Sequence, residues 1–223
     1  MKTNIKTTAI FTLVISALTF AANTFTFGQK PVEHRVKAFG KRAMMPGQVS
    51  AASQNAYQIG KDFTMAINDS KTMKDNGDNF NYTIVDLVYL IDELEGQAEG
   101  AQLQTMMKQI IRGQKDQTLV SNEIAAISNT YLNRQTAEQK WFFNVGTSQM
   151  RLMYAGWAKD ATATAKNLKD LQLLMKTAPL GTPKLVIEAI NGLSKYATLT
   201  PFTVADYGEM VDDAKMITTL VYA

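Results

Sequence analysis

The chain has 223 residues, 46% hydrophobic and 19% charged, the balance of a folded protein with length for one sizeable domain or an array of small units. Its formal charge is +3, from 23 basic and 20 acidic residues. Without Lys2 and Lys6 of the leader, 23 − 2 = 21 basic residues face 20 acidic ones, which argues against nucleic acid as a partner because phosphate binding shows a basic excess. The lack of cysteine excludes a disulfide framework, a thiolate metal site, covalent CxxCH haem attachment and a lipid anchor on an N-terminal Cys.

In chain order, MKTNIK followed by TTAIFTLVISALTFAA reads as a secretory signal, a short basic region and then an apolar stretch. The apolar run falls short of the ~20 residues of a comfortable membrane span. Cleavage is expected after Ala21, Ala22 or Gly28, and residues 1–28 are taken as the leader. Residues 29–49 carry several basic side chains and are interrupted by Gly40, Pro46 and Gly47, the pattern of a flexible basic arm. The mature protein is expected to be secreted or associated with the outer membrane.

Residues 50–223 read as a single helical domain. Ala52, Ala56, Ile59, Phe63 and Ala66 share one face of a first helix. A turn at KDNGDN, with Asp78 as N-cap, leads into FNYTIVDLVYLIDELEG. Further helices are expected at 98–112, 118–134, 137–158, 161–177, 183–197 and 203–221, with Thr182-Pro183 as N-cap and N1 and Thr203 as a start signal. No alternating pattern supports a sheet. Starts about 20 to 27 residues apart suit stacked antiparallel helix pairs of the tetratricopeptide-like kind, although the W-x2-L-G-x2-Y consensus is absent. A compact helical bundle is the alternative.

Catalytic signatures are missing. The one histidine, His34, lies in the arm, and there is no HExxH, GxSxG or phosphate-binding glycine loop. Counting Asp75 as position 1 of a calcium loop puts Phe80 at the Gly position and Asp86 at the Glu position, so a turn explains that stretch better. Asp92, Glu93 and Glu95 read as a solvated helix end. A non-enzymatic protein is expected.

The segment WFFNVGTSQMRLMYAGW, residues 141–157, is the unusual one. At 100° per residue, Trp141, Leu152, Val145, Phe142, Met153, Trp157, Met150, Phe143 and Tyr154 sweep roughly 220° of a helix surface, interrupted only by Gln149. Either this helix has neighbours on both sides, or its surplus of adaptable Met, Trp and Tyr faces a ligand. Gly146 and Gly156 mark a break or a close approach. Residues 80–94 are also double-faced, with a main stripe of Phe80, Ile84, Leu87, Ile91 and Leu94 and a subsidiary one of Tyr82, Val85 and Tyr89. Two such helices could line an apolar groove, with Tyr57 and Tyr131 adding to it. A flat apolar guest such as porphyrin suits that groove: covering both faces removes on the order of 400 Å² from water, roughly 10 kcal/mol before association costs. The candidate binding residues are Tyr89, Trp141, Met150, Arg151, Met153, Tyr154 and Trp157. Tyr or Met would be the iron donors, with the metal ligand left open. Arg151, with Lys140 and Lys159, would meet propionates.

The leader ending LTFAANTFTFGQ, the Cys-free helical body, and the helices IVDLVYLIDEL and QMRLMYAGW together resemble the Hus-type secreted haemophore-like proteins of haem-requiring Bacteroidetes. The resemblance covers the whole chain. It implies a tetratricopeptide-like right-handed superhelix, capture of haem as cargo outside the cell, and delivery to an outer-membrane haem receptor. The rival reading is a non-enzymatic helical-repeat scaffold for protein interactions.

Overall fold

The computed structural model describes residues 48–71, 73–113, 117–199 and 201–223. The leader and the arm up to residue 47 lie outside the described residues. Eight helices follow one another, with no strand among the described residues. They are α1 (Ala51–Lys71), α2 (Met73–Val88) running on into a π-helical turn (Tyr89–Leu94), α3 (Glu99–Ile111), α4 (Gln117–Arg134), α5 (Ala137–Ala158), α6 (Ala161–Lys176), α7 (Lys184–Gly192) continued by a 3-10 turn (Leu193–Thr198), and α8 (Val204–Val221). The all-α expectation holds.

Local chemistry explains three of the helix starts. Thr136 and Gln139 close a reciprocal capping box at the start of α5, as Thr203 and Asp206 do for α8. The Asp160 carboxylate accepts from the Ala163 N–H at 2.9 Å and starts α6. Two boundaries differ from the sequence reading. KDNGDN is helical rather than a turn, because α2 begins at Met73 and Asp78 sits inside it. Burial of Phe80, Ile84 and Leu87 holds that helix and outweighs the poor propensities of Asn, Asp and Gly in its first turns. Pro183 is the N-cap of α7 rather than its first residue: its carbonyl accepts from the N–H of Val186 at 3.0 Å and of Ile187 at 3.3 Å.

The fold is organised around α1 and α5, the most extensively packed pair. Ser53 bonds Glu138 near one end of the pair, and Tyr154 bonds Asn68 and Asp69 at the other, so the two helices run parallel. Where they cross, a Cβ at Gly60 would collide with the Phe143 carbonyl oxygen, and one at Gly146 with that of Tyr57. Only glycines allow the two backbones to touch there. α2 and α4 also pack on α1, whereas α6 and α8 pack on α5. Two apolar clusters result. One joins Ala56, Ile59, Phe63, Phe80, Ile84, Leu103, Ile124, Tyr131 and Phe143. The other joins Tyr57, Trp141, Phe142, Met150, Leu152, Leu168, Ile190, Met210 and Ile217.

Three glycine substitutions test the crossing by urea unfolding. Gly60→Ala and Gly146→Ala are each expected to destabilise by about 2–3 kcal/mol, because backbone must move apart. Gly208→Ala in α8, where a Cβ meets nothing within 4 Å, is expected to stabilise by about 0.5–1 kcal/mol through helix propensity. Equal effects at all three positions would contradict the close approach.

Candidate functional site

The width of the α5 arc has a packing explanation. Its Trp141, Phe142, Val145 and Leu152 sector enters one cluster, while Phe143 enters the other. Gly146, between them, faces α1. The sector that could have been left for a ligand is covered by α1 over most of its length. Gln149, the one polar residue within the arc, is fully buried. Its Nε2 donates to the Ala214 carbonyl at 2.6 Å and to Thr218 Oγ1 at 3.0 Å, and its Oε1 accepts from the Tyr57 hydroxyl. A buried amide satisfied on both ends fixes the register of α1, α5 and α8.

The seven candidate residues separate into three groups. Trp141, Met150 and Met153 are buried in the cluster between α5 and its neighbours, and the Trp141 indole N–H is committed to the Leu174 carbonyl at 2.8 Å. Arg151, Tyr154 and Trp157 form an i, i+3, i+6 ridge at the C-terminal end of α5, where such spacing makes side chains neighbours. Trp157 is 53% exposed, and its ring stands edge-on to that of Tyr154 at 5.4 Å and 86°. Arg151 is exposed. Tyr89 belongs to neither group: it is half-buried in the π turn beside Tyr82 and Val85, on an element that packs against α1, α2 and α3 rather than α5.

The ridge emerges because α1 runs out. α1 ends at Lys71, within a turn of the Asn68 and Asp69 that bond Tyr154. Burial, then the charge of Asp69, pushes the Tyr154 phenol up to about 12. Burial likewise raises the Asp69 carboxyl. Directly after the ridge, Lys159 caps α5 in the left-handed conformation, φ 54°, the only non-glycine with positive φ among the described residues. Glycine is the residue usually found there. A lysine there accepts some backbone strain, and its charge suits the negative end of the helix.

Tyr57 and Tyr131, expected to add to a groove, do not. Both are fully buried, in different clusters. Glu95, expected in solvent, turns inward instead. Its Oε2 accepts from the Tyr131 hydroxyl at 2.9 Å and from Gln97 at 3.2 Å, while its Oε1 is buried without a hydrogen-bond donor. Glu99 beside it is fully buried and is gripped by Arg134, whose NH1 lies 3.2 Å from Oε1 and 3.3 Å from Oε2. No periodic signal announced this cluster, since its residues come from the α2–α3 corner and from α4. Among the described residues no group of three or more His, Cys, Asp or Glu is placed to hold a metal ion, and no helix is long and apolar enough to cross a membrane.

No family model matches the chain, and no curated protein or solved structure is detectably similar to it.

Burial raises the Glu95 carboxyl above its ordinary value of 4.5, against a lowering by the Tyr131 bond. Its ionisation therefore costs stability in the fold, a cost absent below the unfolded value and fully present once pH exceeds the folded one. Glu95→Gln, which keeps an acceptor for Tyr131, is expected to stabilise the protein at pH 8, with the gain vanishing as pH falls toward 4.5. Urea melts at several pH values measure it.

Proposed function

We propose that the protein is an exported carrier of haem or a similar porphyrin, with the ridge Arg151–Tyr154–Trp157 as its point of capture. The observation that carries this reading is the half-exposed Trp157 set edge-on to Tyr154, with Arg151 on the same ridge and Lys159 held in a strained conformation next to it. Aromatic surface for the macrocycle and cations for its propionates thus come from one helix end. In this reading the mature protein is non-enzymatic, works outside the cell or at the outer membrane, and hands haem to an outer-membrane receptor; the parallel α1–α5 pair at its centre departs from the sequential stacking of a tetratricopeptide-like right-handed superhelix.

The energetics impose a condition. Stacking on one porphyrin face removes on the order of 200 Å² from water, roughly 5 kcal/mol before association costs, too little for firm capture. A second wall is needed. Behind Trp157 on the same helix lie Met153 and Met150, at i−4 and i−7, just below the surface. Their unbranched thioethers repack readily, so they form a floor that yields to a planar guest without backbone movement. The Tyr154 phenol, bonded to Asp69 and held protonated at neutral pH, serves the ridge by position rather than as a ready phenolate. Iron ligation is therefore not required by this reading, and metal-free protoporphyrin serves as well.

Titration of the mature protein with haemin is expected to shift the Soret band and quench Trp fluorescence below about 50 µM. Trp157→Ala is expected to weaken binding at least about tenfold, and Met153→Ile, stiff at χ1, by a smaller factor. No spectral change in the wild-type protein at that concentration removes the proposal. An unchanged Trp157→Ala titration moves the site elsewhere.

A further inference from the structure

A second exposed aromatic surface lies on α2, and its chemistry is opposite to that of the ridge. Asp78, Tyr82, Val85, Asp86 and Tyr89 recur at i, i+4, i+7, i+8 and i+11, which places them on one face at 100° per residue. Tyr82 is 72% exposed and Val85 52%, Asp78, Asp86 and Glu93 are exposed, and Tyr89 is half-buried. The opposite face of α2 is spent on the core through Phe80, Ile84 and Leu87. After Lys74 the sequence has no Lys or Arg until Lys108; of the acidic residues in that stretch Asp78, Asp86 and Glu93 are exposed, whereas Glu95 bonds Tyr131 and Glu99 is buried against Arg134.

We infer that this face of α2 is a docking surface for a cationic segment of a protein partner, one that carries an apolar anchor between Lys or Arg residues. Charge complementarity selects the occupant. Interleaved carboxylates repel haem propionates, lipid phosphates and nucleic acids, but attract and orient a basic polypeptide. The tyrosines and Val85 supply the apolar centre that binding needs, Tyr being favoured at interfaces because it gives large contact area and a hydroxyl with few rotamers to freeze. The π turn that ends this face is a device often found at functional positions, since it costs hydrogen-bond regularity. Here it carries Tyr89 on the docking face and Ile91 in the core. The inference does not depend on haem binding.

The probe is a fluorescein-labelled 18-residue helical peptide of Leu and Lys, with a Leu and Glu peptide as its counterpart, followed by anisotropy at low salt and at about 0.3 M salt. The wild-type protein is expected to bind the cationic peptide and not the anionic one. Tyr82→Ser with Tyr89→Ser, and separately Asp78→Lys, are each expected to weaken binding about tenfold, whereas Glu209→Lys on exposed α8 surface is expected to leave it within about twofold. Circular dichroism checks that each variant is folded, and Asp78→Lys, far from the core, stands if the double variant is not. Equal binding by wild type and both α2 variants overturns the inference, as does an equal loss in Glu209→Lys, which would show attraction to net charge alone. Concentration-dependent self-association of the wild type that Tyr82→Ser abolishes would also overturn it, by assigning the face to a second copy of the chain.

Discussion

The structure depends on a contact between two backbones. Gly60 on α1 meets the Phe143 carbonyl on α5, and Gly146 on α5 meets the Tyr57 carbonyl on α1. The contact is reciprocal: in each helix the touched carbonyl lies three residues before the glycine. Thr147 adds a hydroxyl that donates to the Gly60 carbonyl at 3.2 Å, fastening the helices at the point of closest approach. Nothing bulkier fits, so the crossing point is set by sequence positions rather than by side chains that could repack.

Once α1 and α5 are pressed together, they act as a wall between two cores. Phe63, Phe143 and Tyr131 cluster on one side, with ring centroids about 6 Å apart, at 6.2, 6.2 and 5.9 Å. On the other side the Tyr57 hydroxyl, Gln149 and Thr218 form a buried polar knot, Tyr57 and Thr218 being 2.7 Å apart. A fully apolar seam could slide by a helical turn at little cost. The knot cannot, because each displaced group would be left buried without a partner. α8 is held to α1 by the same logic further along, where Gln54 donates to the Val221 carbonyl at 2.9 Å and the Tyr222 hydroxyl reaches the Gln54 carbonyl at 3.3 Å. The end of the described chain is thus tied to its first helix, and the order of packing differs from the order of the sequence.

That difference explains what could be read from the residues alone. The helices were legible because periodicity is local and one cap was read correctly: Thr203 begins the helix that its chemistry announces, while Thr136 and Asp160, which cap α5 and α6, were not singled out. The double-faced character of α5 was legible too, and so was the close approach at Gly146. Which element fills the second face was not legible, since α1 lies some 80 residues earlier in the chain and its matching glycine, Gly60, carries no signal of its own. KDNGDN was misread for a related reason: its residues favour a turn, and only burial further along α2 makes them helical. The Glu95–Tyr131 and Glu99–Arg134 pairs join segments about 35 residues apart, as their separations of 36 and 35 show, so no window of helical spacing contains them.

The candidate surfaces follow from the same geometry. A helix pressed on both sides can present function only where a neighbour ends, and α5 becomes free where α1 stops, at Trp157. α2, packed on one side only, presents a whole face. Composition then separates the two surfaces by charge: Arg151 and Lys159 flank the first, Asp78, Asp86 and Glu93 the second. An anionic planar ligand and a basic polypeptide would therefore be drawn to different ends of different helices. A protein that must hold a cargo and also engage a partner needs such a division, because a single aromatic surface serving both would force each to compete with the other. In this fold the division costs nothing extra, because it follows from one helix being central and the other peripheral.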